Sequence, residues 1–112
     1  RPHKHKINGE SLQFIYGKAV AIIFNEDGSV ANAFRVGKPL SGLSFYYSMA
    51  KSQYHMLVVE SDFLVFMETT QGPFIPENTI FPPWAPDGKD KTESLIFNKN
   101  ILNLLDTRGL LT

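Results

Sequence analysis

Residues 12–24 read LQFIYGKAVAIIF, a run of apolar, aromatic and β-branched residues interrupted at Gly17 and closed by Asn25-Glu26-Asp27-Gly28. Such residues suit a pleated surface and the closing cluster suits a turn, so the run predicts two strands, or one strand bent at the glycine. Shorter β-like segments follow at 30–36, 43–47, 54–60 and 63–69, separated by turn formers such as Gly37-Lys38-Pro39, Ser41-Gly42 and Ser61-Asp62. Short strands at regular spacing predict a sandwich or barrel. Between 72 and 87 the pattern changes to five prolines interleaved with Phe74, Phe81 and Trp84. Proline cannot donate to a sheet ladder, and the segment is too aromatic for a free linker. It is expected to lie extended over a strand edge or a barrel mouth, anchored by Trp84. The period then becomes helical: Phe97, Ile101, Leu104 and Leu105 recur after Asp90-Lys91-Thr92-Glu93 and stop at Gly109. This predicts a helix over 92–107 with Gly109 just past its end. No repeat or low-complexity tract divides the chain. A single, mainly β domain over 1–112 with one C-terminal helix is therefore expected.

Composition narrows the function. A chain of 112 residues that is 43% hydrophobic can bury a core of its own. Eleven basic residues balance eleven acidic ones, and basic residues gather only in the mixed start Arg1-Pro2-His3-Lys4-His5-Lys6. That lacks the electrostatic footprint of a nucleic-acid binder or a polybasic membrane contact. With no cysteine, any metal must be held by imidazole and carboxylate. No apolar stretch approaches the ~20 residues of a membrane helix, and no signal-peptide pattern opens the sequence. A cytoplasmic location is the expectation.

The candidate chemistry lies in the three histidines. His3 and His5 are two apart, which on a strand puts both imidazoles on one face with Cα atoms about 6.6 Å apart. Asn8-Gly9 is a strong hairpin signal because both central positions of a type I′ turn need positive φ. That turn would pair Ile7 with Glu10, His5 with Leu12, His3 with Phe14 and Arg1 with Tyr16, bringing two imidazoles and a carboxylate together. His55 falls on the strand-like segment 54–60. If Ser61-Asp62 is a two-residue turn, His55 stands opposite Glu68, a second carboxylate able to bind substrate or move a proton. Three histidines and Glu10 make a mixed nitrogen and oxygen site for one divalent ion such as Zn²⁺, Fe²⁺, Mn²⁺, Ni²⁺ or Cu²⁺. The competing reading makes His3 and His5 a solvated terminus and His55 a hydrogen-bonded core residue. Arg1 and Tyr16 are candidates for substrate binding, Arg1 through a bidentate contact to carboxylate or phosphate, and Glu68 is the candidate catalytic base. Tyr46, Tyr47 and Phe66 suit either a pocket wall or core packing.

At these residues the chain resembles a cupin. The first cupin motif is H-x-H, a glutamate after three or four residues and a glycine after six more, matched by His3, His5, Glu10 and Gly17. The second, P-x-G-x-x-H, aligns with 50–55, where His55 is kept and Ala50 and Ser52 replace proline and glycine. More narrowly, Arg1-Pro2-His3-Lys4-His5, Glu68 followed by Gly72-Pro73-Phe74, and Pro83-Trp84-Ala85-Pro86-Asp87 resemble the WbuC family of cupin-fold metalloproteins, over residues 1 to about 88. The resemblance implies a double-stranded β-helix, jelly-roll-like small barrel and metal ligation by His3, His5, Glu10 and His55. It also implies a segment preceding Arg1, a homodimer, and a place beside genes of surface-polysaccharide synthesis. The expected function is a metal-dependent step on a small polar metabolite such as a sugar intermediate, of isomerase, epimerase or other Lewis-acid type. The alternative is a non-catalytic metal- or sugar-binding module.

Overall fold

Gly17 cuts the long apolar run in two. It holds φ +87°, where side chains are strained, and a Cβ there would collide with the Phe63 carbonyl oxygen and lie 2.7 Å from Ser61 Oγ. The strands on either side of it enter different sheets. The computed structural model describes residues 1–5, 9–49, 53–70, 76 and 79–109. Its elements are β1 (Lys4–His5), β2 (Glu10–Tyr16), β3 (Lys18–Phe24), β4 (Val30–Gly37), β5 (Tyr46–Met49), β6 (Tyr54–Val59), β7 (Val65–Thr70), β8 (Thr79–Ile80) and α1 (Lys91–Thr107). They form three antiparallel sheets, ordered β5-β2-β7, β4-β3-β6 and β1-β8. Among the described residues these sheets do not join into a closed barrel. The architecture is mainly β, with eight strands and one C-terminal helix among the described residues.

Strand β3 explains why its sequence is apolar without alternation. Ala19, Ala21 and Ile23 pack with Leu12, Phe14 and Met49 of the sheet facing it. Val20, Ile22 and Phe24 point the other way, into a second core with Tyr54, Met56, Val58 and Leu105 of α1. From Ala19 to Phe24 both faces are buried, so neither carries polar residues there. Helix α1 closes this second core. Asp90 caps it, accepting from the Thr92 and Glu93 amides at 2.8 and 3.3 Å, and Gly109 follows its end at φ +64°. Trp84 anchors its segment as expected: the ring packs on Phe24 and Tyr54, and Nε1 donates to the Glu26 carbonyl at 2.9 Å. Of the motif residues, Asn8, Ala50, Ser52 and Gly72-Pro73-Phe74 lie outside the described residues. No helix among the described residues is long and apolar enough to cross a membrane.

Both predicted strand pairings are corrected. Strand β1 does not pair with β2, because β5 and β7 occupy both edges of β2. Instead Lys4 and His5 pair with Ile80 and Thr79, and His3 exchanges two backbone hydrogen bonds with His55, at 3.1 and 2.9 Å. Nor does His55 pair with Glu68. Strand β6 bonds to β3, which sets His55 opposite Ile23, while β7 bonds to β2, which sets Glu68 opposite Leu12. Strands β6 and β7 thus face one another from different sheets.

Candidate metal centre

Alternation along two strands aims the central residues at each other. On β2, Glu10, Leu12 and Phe14 are all buried and face the layer between the two three-stranded sheets. On β6, His55 follows the face of Leu57, which packs into the same layer from the other side. The His3–His55 backbone bridge carries β1 to this place. Donor atoms of His3, His5 and Glu10 all lie within 4.8 Å of one another. His5 Nε2 is 3.2 Å from Glu10 Oε2, His55 Nε2 contacts Glu10 Oε1, and the His3 ring stands 4.5 Å from that of His55. The four residues expected from the sequence are therefore brought together, by a route other than the expected hairpin.

The hydrogen bonds on the far side of two rings fix what each offers. Nδ1 of His3 lies 3.0 Å from the Arg1 carbonyl, and Nδ1 of His55 lies 2.8 Å from the Gln53 carbonyl. A carbonyl only accepts, so each Nδ1 carries the proton and each neutral ring keeps its lone pair on Nε2. On His55 that lone pair faces a carboxylate oxygen. Two electron-rich atoms in contact require a proton or a cation between them. Glu10 itself is 3% exposed, and neither of its oxygens meets a hydrogen-bond donor of good geometry. A buried carboxylate surrounded by imidazole nitrogens is a donor set that suits a divalent first-row ion.

Electrostatics follow the same lines. Burial pushes the Glu10 carboxyl up, but contacts with His55 and Glu68 and the nearby His55 and His5 rings outweigh it, leaving the group at about 2. Burial pushes His55 down, and the Glu10 carboxylate more than reverses this, so His55 is raised. His3 is lowered, chiefly by burial. Glu68 is raised to about 7 by its contact with Glu10, by burial and by repulsion from the Glu10 charge. Its Oε1 lies 3.7 Å from His5 Nε2.

A cleft of about 500 Å³ opens from this cluster between β6 and β7, lined at the cluster end by Arg1, His3, Glu10, His55 and Glu68. Arg1 and Glu68 thus reach the same cavity. Arg1 also stacks its guanidinium 3.5 Å over the Phe81 ring. Tyr16 does not share the Glu10 face: the β2–β7 register shifts between Phe14 and Tyr16, and Tyr16 stacks on Phe63 beside a separate hollow. For one residue near the site the sequence left pocket wall and core packing both open. Tyr47 pairs with Leu12 and so faces inward; its hydroxyl is buried without a hydrogen-bond partner, and burial, then the Glu10 and Glu68 charges, raise its pKa. Alternation separates Tyr46 from Tyr47 but cannot say which faces inward until the partner strand is known. Comparison with protein-family models, with curated proteins and with solved structures found no match to this chain.

Proposed function

We propose that this chain is a cupin-type metalloprotein in which His3, His5, Glu10 and His55 hold one divalent first-row metal, and that it acts on a small metabolite bearing oxygen donors. The observation that carries this reading is the His55–Glu10 contact, in which a ring fixed by the Gln53 carbonyl turns Nε2 onto a buried carboxylate, a position for a proton or a cation between them. The metal, when bound, supplies Lewis acidity for isomerase- or epimerase-type chemistry, polarising a carbonyl or holding vicinal oxygens. The protein supplies the rest. The Arg1 and Gln53 carbonyls orient two rings, the buried strand faces of Glu10 and His55 keep water from their side, and Arg1 offers a cation to an anionic substrate group. Glu68 Oε1 is placed to take a proton from a substrate in the cleft and return it to a neighbouring position. A carboxylate on the cleft wall, beyond the four candidate ligands, favours catalysis over a purely binding module.

Metal content by plasma mass spectrometry, on untagged protein purified without added metal and compared with His55→Ala, tests the site. About one equivalent of a first-row metal, lost in the variant, is expected. Wild-type protein that stays empty after reconstitution with several divalent ions overturns the reading.

A further inference from the structure

Beyond its polar end the cleft is a trough with apolar walls. Along β6 the inward positions after His55 are Leu57 and Val59; read away from Glu68, the facing side carries Phe66 of β7 and then Leu64, just before that strand. Each step of two residues covers about 6.6 Å. The cluster end therefore carries His55 and Glu68, and the next two rungs carry only hydrocarbon. Val59 is 47% exposed and Phe66 38% exposed, although both line a concave surface. Apolar groups left open to water in a cavity beside a polar cluster mark a ligand surface. A fully hydroxylated sugar would leave its hydroxyls without partners along these rungs, at a cost for each. At the far end Ser61 and Asp62 border the cleft, and Asp62 repels a second anionic group there.

We infer that the substrate class of this site is a small monocarboxylate whose charged head lies at Arg1 and the histidine cluster and whose apolar body lies along the Leu57–Val59 and Phe66–Leu64 walls. The inference rests on the proposed metal site, which completes the positive end of the cleft. Two rungs accommodate an apolar body of about six to eight carbons or one substituted ring, by the strand repeat. The cleft volume of about 500 Å³ agrees with a ligand of that size.

Calorimetric titration of metal-loaded protein with octanoate, acetate, octanol and glucose tests this, with metal content measured on the same samples. Octanoate is expected to bind at least about tenfold more tightly than acetate, for its buried methylenes, and more tightly than octanol, for its charge. Val59→Asp, at a half-exposed position that tolerates a polar side chain, is expected to abolish the preference for octanoate and leave acetate binding unchanged. Acetate or glucose binding as tightly as octanoate, or a preference untouched in Val59→Asp, overturns the inference. Protein that holds its metal but shows no such preference overturns this inference alone. Protein that takes up no metal overturns the metal reading and this one with it.

Discussion

Glu10 and Glu68 both present carboxylates to His5 and His55, and opposite forces act on them. Glu10 is held at about 2 because contacts with His55 and Glu68 and the nearby imidazoles outweigh its burial, whereas Glu68 is raised to about 7 by its contact with Glu10, by burial and by the Glu10 charge. The consequences for the metal-free protein differ in sign. From pH 2 to 4.5 the unfolded chain holds the Glu10 proton that the native state has released, so stability climbs as pH rises. From 4.5 to 7 the native state keeps the Glu68 proton that the unfolded chain has lost, so stability declines. The raised His55 adds to the decline as pH rises through its folded pKa, and the lowered His3 opposes it below 6.5. Melting temperature against pH for the metal-free protein is expected to show this maximum, and Glu68→Gln to flatten its alkaline limb. A limb unchanged in Glu68→Gln would mean that Glu10 does not hold the Glu68 proton in place.

Elements differ in how far their sequences declare them. The helix was legible at both ends, since Asp90 and Gly109 act through local geometry alone. The break at Gly17 was also legible. Gly17→Ala forces a side chain into positive φ and against the Phe63 carbonyl, and is expected to cost about 1–3 kcal/mol of stability, measured by denaturant unfolding. Strand pairing was not legible, because it is decided by edges that no local pattern records. Asn8-Gly9 signals a hairpin, yet β2 has no edge to spare for β1, and His3 finds His55 across more than fifty residues of chain. The candidate donors could still be named because the spacing of the histidines and Glu10 singles them out without the ladder. Glu68 was found beside the cluster for a different reason from the one expected, its pairing with Leu12 rather than with His55.

At the scale of the whole molecule, the candidate ligands are drawn from all three sheets: His5 from β1, Glu10 from β2 and His55 from β6. On the proposed reading, a bound ion fastens these sheets to one another and stabilises only the state in which they have met. Melting temperature is therefore expected to rise with metal concentration and to fall on adding a chelator, with amide protection lost first at the two-residue β1–β8 ladder. A melting temperature indifferent to chelator in protein shown to contain metal would separate the site from the stability of the fold. Strand β3 carries a different consequence. In a half-exposed strand a slip by one residue is punished by polarity, since it turns apolar groups to water. Here both sides are dry, and a slip would instead exchange Ala19, Ala21 and Ile23 with Val20, Ile22 and Phe24. The narrow space between the sheets would receive bulk it cannot hold, and the space beneath the helix would be left with holes. The alignment of the central strand is thus written in side-chain size, legible as two alanines set among larger neighbours.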